Sequence, residues 1–126
     1  LTCQRQALVE RIEKRVDGMI AAGLIEEIRG LLRQGVSFDD QSMQGIGYKE
    51  WRGYFEGRET IDQAREQILT HTRQFSRRQM TWFTRQTPIR WAAVDQPGEK
   101  EQAVAEIADW LKEECSWKHR YKDWNC

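Results

Sequence analysis

Between residues 67 and 94 the chain has no aspartate and no glutamate, although acids and bases balance at 20 each over its 126 residues. Zero net charge removes any bulk electrostatic pull on nucleic acid, so an interest in phosphate has to come from local distribution. No apolar run approaches the roughly 18 residues of a membrane span, and the opening Leu1-Thr2-Cys3-Gln4-Arg5 is not a signal peptide. The expectation is therefore no membrane and a cytoplasmic location. Cys3, Cys115 and Cys126 are odd in number and form no Cys-x-x-Cys pair, which speaks against a disulfide framework and a zinc ribbon. Adding His119 to Cys115 and Cys126 gives only three unevenly spaced ligands, so no metal site is expected here. Nothing fits G-x-x-x-x-G-K-[ST], the loop that cradles a diphosphate. The chain opens on Leu1 instead of methionine, so it is expected to be a piece of a longer protein.

What is present is helical periodicity. Leu8, Ile12, Val16, Met19 and Ile20 recur at three and four residues, with Gly23 as a C-cap; Leu24, Ile28, Leu31 and Leu32 repeat the pattern up to Gly35, and the two segments should pack as a hairpin. Residues 36–44 read as a loop, and a third amphipathic piece around Ile46, Trp51, Tyr54 and Phe55 ends at Gly57. Thr60-Ile61-Asp62-Gln63 has the form of a capping box and starts the longest helix. Its seam of Ile61, Ala64, Ile68, Phe75, Trp82 and Phe83 is expected to be core, as are Trp51, Trp82 and Trp110. Pro88 should end this helical region. Residues 89–94 read as a short strand with no partner elsewhere in the chain, which implies a missing sheet. After Gln96-Pro97-Gly98, the residues Val104, Ile107, Ala108 and Leu111 make a last helix, and residues 115–126 form a tail without period.

The acid-free stretch contains Arg73, Arg77, Arg78, Arg85 and Arg90. Arg73, Arg77 and Thr81 share one helical stripe and Gln74 and Arg78 the next, both off the apolar seam. Charge alone leaves two readings open, an RNA-facing surface or a solvated helix face that happens to be rich in arginine. The same holds for Arg11 and Arg15 on the first helix, which suit phosphate oxygens but equally suit a neighbouring glutamate.

Several stretches together resemble the tRNA dimethylallyltransferase family (tRNA isopentenyltransferases): Arg11-Ile12-Glu13-Lys14-Arg15-Val16-Asp17-Gly18-Met19, Gly23-Leu24-Ile25-Glu26-Glu27, Gly45-Ile46-Gly47-Tyr48-Lys49-Glu50, and Thr72-Arg73-Gln74 leading into Arg77-Arg78-Gln79-Met80-Thr81-Trp82-Phe83. They occur in the family's order and spacing over residues 1–95. The resemblance implies a mainly α chain, the helical C-terminal part of a P-loop-type α/β protein, in which the strand at 89–94 joins a parallel sheet supplied by an N-terminal region. Residues 1–112 would be that C-terminal portion and 113–126 a tail of uncertain structure.

The resemblance further implies transfer of a dimethylallyl group from dimethylallyl diphosphate to the exocyclic amine of an adenosine beside the anticodon, with Mg²⁺ and cations neutralising the leaving diphosphate. Mg²⁺ would be held mainly by the N-terminal region, and the full-length protein would be a monomer. Arg15 matches the family's catalytic arginine, and Arg11 stands one turn before it. Thr72, Arg73, Gln74, Phe75, Ser76, Arg77, Arg78 and Gln79 match the run that contacts the tRNA anticodon stem-loop. A second contact region matches Asp39, Asp40, Gln41, Ser42, Met43 and Gln44; its acids repel phosphate, so contacts there should come from Ser42, Gln44 or backbone groups. Tyr48 reads as core packing or contact, and Lys49 as surface or phosphate-directed. The chain alone would be inactive. Two further readings from other classes are a stand-alone helical RNA-binding module and a helical protein-interaction domain.

Overall fold

A computed structural model describes residues 2–86, 89 and 91–114, which divide into two compact units, one of residues 5–89 and one that joins residues 2–4 to the segment from 91 onward. The helical unit begins with α1 (Arg5–Ala21) and α2 (Leu24–Arg33), separated by Gly23 at φ 100°. An L side chain is strained at that angle, so glycine is what lets the chain reverse in so few residues. α2 ends in a Schellman motif: the Val36 N–H donates to the Leu31 carbonyl at 3.2 Å and the Gly35 N–H to that of Leu32 at 3.1 Å. The segment expected to be plain loop holds a 3₁₀ turn, Gln41–Gln44, anchored by buried Phe38 and Met43. A second 3₁₀ turn, Lys49–Trp51, runs into the single turn α3 (Arg52–Phe55).

α4 (Ile61–Phe83) is the longest helix and opens on the expected capping box, with Gln63 N–H donating to Thr60 Oγ1 at 3.2 Å and Thr60 N–H to Gln63 Oε1 at 2.8 Å. Neither glycine nor proline interrupts its 23 residues, so intrinsic propensity carries the helix where packing does not. The core of the unit is Ile12 and Val16 of α1, Leu24 and Ile28 of α2, Phe38, Met43 and Trp51 from the connections, and Ala64, Ile68 and Leu69 of α4. Each large apolar side chain buried in this way contributes about 1.5–3 kcal/mol.

The expected seam is core only in its first part. Ala64 and Ile68 are buried, but no residue of α4 beyond Leu69 is, and Phe75, Trp82 and Phe83 are exposed, as is Ile61. The apolar periodicity there is real, yet the helical unit supplies nothing to cover it. Trp51 is core as expected; Trp82, 58% exposed, and Trp110 are not.

Polar ties fix α1 to α4. Arg65 forks onto Asp17, Nε to Oδ1 at 2.6 Å and Nη2 to Oδ2 at 3.0 Å, and the hydrogen bond from Arg65 holds the Asp17 carboxyl below the usual carboxylate range. A carboxyl depressed in the folded state stabilises above its unfolded value and loses that contribution as pH falls through the lower, folded one. Wild type and Asp17→Asn should therefore differ in urea midpoint at neutral pH and converge as pH falls through that lower, folded value. A constant gap across that range would count against the tie.

In the other unit, residues 91–94 do not form the expected strand. They make a single parallel bridge between Ala93 and Thr2, in which Thr2 N–H donates to the Ala92 carbonyl at 2.7 Å and Val94 N–H to that of Thr2 at 3.1 Å. The expectation of no partner within the chain is thus corrected: Thr2 is the partner, hidden from pattern reading because a lone bridging residue has no periodicity. Gln4 N–H continues the pairing by donating to Asp95 Oδ2 at 2.7 Å. Glu99 Oε2 accepts from the Asp95 and Gln96 N–H groups at 2.6 and 2.8 Å and opens α5 (Glu99–Glu114), whose Ala103 is buried while Val104, Ile107, Trp110 and Leu111 are exposed. Pro88, the expected helix stop, and the tail from Cys115 with His119 and Cys126 lie outside the described residues.

Candidate nucleic-acid interface

Past Leu69, α4 carries its arginines on a bare helix. Arg73 is partly spent within the protein: its Nε donates to the Leu69 carbonyl at 3.1 Å and its Nη2 pairs with Glu66 at 3.0 Å. Arg77 and Arg78 are exposed and have no acid within ion-pair distance among the described residues, and the same is true of Arg85. The missing acids of residues 67–94 are the cause, since a helical arginine finds its usual partner three or four positions away. Gln74, Phe75 and Gln79 are exposed beside them, Thr72 and Ser76 half-buried. Trp82 and Phe83 stack edge to face at 4.9 Å one turn further on. The surface offers fixed positive charge, amides and open aromatic rings on one rigid rod, the set of groups that meets phosphates and unstacked bases.

The second region, Asp39 to Gln44, is less acidic in effect than in sequence. Arg52 Nη1 pairs with Asp39 Oδ1 at 2.8 Å, and Asp40 Oδ2 accepts the Ser37 N–H at 2.8 Å. Gln44 Nε2 donates to the Phe38 carbonyl at 2.6 Å, so its amide holds the loop. Met43, 1% exposed, belongs to the core beneath. Gln41 and Ser42 keep exposed side chains without hydrogen-bond partners among the described residues, and they are polar groups this loop presents outward.

On α1 the charges separate by face. Glu13 and Asp17 lie on the flank toward Arg65, while Arg11 and Arg15, one turn apart, lie on the other, both exposed. Arg15 has no ion-pair partner among the described residues, so the neighbouring-glutamate reading of it is not realised. Tyr48 packs on the core and donates its hydroxyl to Glu27 Oε1 at 2.5 Å; that hydrogen bond pushes its pKa up. Lys49 is exposed.

Sequence reasoning passed over Glu50 and His71. Glu50 is 3% exposed, accepting the Gly47 N–H on Oε2 at 2.8 Å and standing 2.7 Å from His71 Nδ1 through Oε1. The signal available was a carboxylate directly beside Trp51, a residue read as core. Among the described residues no group of three or more His, Cys, Asp or Glu is placed to hold a metal ion, so these residues do not fit the Mg²⁺ that the resemblance implies. No described helix is long and apolar enough to cross a membrane.

Solved structures with this architecture include a full-length tRNA isopentenylpyrophosphate transferase from Bacillus halodurans, with a TM-score of 0.80 and 35% identity over 94% of this chain and 40% of that one. A tRNA delta(2)-isopentenylpyrophosphate transferase from Staphylococcus epidermidis gives 0.78 and 32% over 90% and 36%. The fold is that of the helical C-terminal part of a tRNA isopentenyltransferase.

The family model described as IPP transferase matches residues 1–86. Curated tRNA dimethylallyltransferases from Geobacillus kaustophilus and Pelotomaculum thermopropionicum are 46% and 48% identical over 88% and 86% of the chain. The chain belongs to the IPP transferase family, whose curated members are prenyl transferases, and it spans about a third of the length of these relatives, 35% and 34%.

Proposed function

We propose that this chain is the RNA-contacting third of an enzyme that moves a dimethylallyl group from dimethylallyl diphosphate to the exocyclic amine of an adenosine next to the tRNA anticodon. In that transfer the carbon–oxygen bond to diphosphate breaks, a carbon–nitrogen bond forms, and the amine gives up a proton. The task of α4 is to hold the anticodon stem-loop through Arg77 and Arg78, with Arg73, Gln74 and Gln79 beside them, while Gln41 and Ser42 meet it from the loop. Arg15, with Arg11 one turn away, faces the diphosphate, where a planar guanidinium fork takes two oxygens as negative charge builds on the leaving group. The enzyme works in the cytoplasm as a monomer.

One observation carries this reading: Arg77 and Arg78 stand exposed at the centre of an acid-free stretch, with no ion-pair partner among the described residues. Guanidiniums left without internal acids gain most from phosphate, because binding releases condensed counterions. The direct test is to titrate a synthetic anticodon stem-loop with the 126-residue chain over a series of salt concentrations. Affinity is expected to fall steeply and linearly on logarithmic axes, by about 0.7–0.9 per phosphate contact. Binding that ignores salt, or no binding at all, would overturn the reading.

A further inference from the structure

Glu50 is a buried carboxylate, 3% exposed. It lies next to Trp51, itself 0% exposed, and the cost of burying it is offset by two partners, the Gly47 N–H and the His71 imidazole. What an apolar residue could not do is hold two separate backbone segments at fixed distances. Oε2 accepts the N–H of Gly47, which sits at φ 102° in the turn where the Gly45 carbonyl accepts from Tyr48 and Lys49 at 3.1 and 3.2 Å. Oε1 takes the Nδ1 of His71, the residue of α4 immediately before Thr72. One carboxylate therefore joins the turn that directly follows Gln41–Gln44 to the place where α4 leaves the packed core, just before Arg73.

We propose that Glu50 and His71 are positioning residues for RNA: through Gly47 and His71 the carboxylate sets the loop bearing Gln41 and Ser42 at a fixed distance from the arginines of α4, so that one RNA meets both. This rests on the RNA reading of the preceding section. Neither residue touches the nucleic acid. Their effect is to remove the ordering cost that a loosely held loop would add on binding.

The test uses the full chain, a synthetic anticodon stem-loop and three variants at His71, which is 39% exposed on its side chain and so replaceable without opening the core. His71→Ala removes the donor. His71→Asn puts an amide N–H where Nδ1 stood, and His71→Gln puts one where Nε2 stood. At a temperature where circular dichroism shows every variant folded, His71→Ala and His71→Gln are expected to bind about ten-fold more weakly, the size of one such ordering cost, with an unchanged salt slope because no phosphate contact is lost. His71→Asn should recover wild-type affinity. Wild-type affinity in His71→Ala, or failure of His71→Asn to recover it, overturns the proposal. Hydrogen exchange of the Gly47 amide separates this from the parent reading. If wild type binds no RNA, the RNA assignment has failed, and the tie itself is still decided by whether that amide exchanges faster in His71→Ala and normally in His71→Asn. Equal exchange in all three overturns it.

Discussion

The Arg77→Ala, Arg78→Ala double variant is expected to lose about 10²-fold in affinity for an anticodon stem-loop at low salt and to shallow the salt dependence by about 1.4–1.8 units of slope. Each phosphate contact removed takes about 0.7–0.9 from the slope, and each charge-assisted hydrogen bond lost is worth roughly 1.5–3 kcal/mol net of exchange with water, so two at the lower end give about 10²-fold. Folding should be untouched, because neither side chain is buried or ion-paired. Arg73→Ala is the informative comparison. Arg73 already spends its guanidinium on Glu66 and the Leu69 carbonyl, so its loss also frees an acid beside the RNA-facing stripe without removing an equally available cation. A single substitution at Arg73 should therefore cost less than half, in free energy, of what the double variant costs. Equal losses would mean that the helix presents its arginines in another order, and an unaltered slope in the double variant would remove α4 from the interface.

Trp51→Ala should bring the helical unit close to unfolding. The indole is fully buried, meets Tyr54 edge to face at 5.9 Å, and lies in the one cluster that α1, α2 and α4 share. Emptying such a site costs about 3–5 kcal/mol, against a total of 5–15 kcal/mol for an ordinary domain. Trp51→Phe is predicted to lose well under half as much. The indole Nε1 is buried without a hydrogen-bond partner, so phenylalanine gives up volume but breaks no polar contact. Urea denaturation of the two variants decides it: equal midpoints would show that the polar edge of Trp51 matters more than its volume.

How far the sequence could be read varies with how local the determining physics is. Capping box, helix hairpin and the glycine turns depend on neighbours a few residues away, and Thr60 with Gln63, Gly23 and Gly35 stand as their spacing required. The apolar seam of α4 was also legible, but periodicity states only which side chains share a face, not what covers them; Phe75, Trp82 and Phe83 share it and are uncovered. Long-range polar pairs escaped altogether. Nothing in the local pattern sets Asp17 against Arg65, 48 residues away, or Glu50 against His71, 21 away. For the candidate interface, the acid-free stretch marked the segment proposed to meet RNA, while the ranking within it, Arg77 and Arg78 before Arg73, came only from seeing which arginine already had a partner.

The bridge between Thr2 and Ala93 gives the chain a different description, as a detour. Parallel strands cannot be joined by a tight turn and need a crossover, and here the crossover is the entire helical unit of residues 5–89. A crossover of this kind can lengthen, shorten or be exchanged during evolution as long as Thr2 and Ala93 keep their pairing. Sequence change in the helical unit is thereby separable from the hydrogen bonds of Thr2 with Ala92 and Val94, which alone set the register of the bridge.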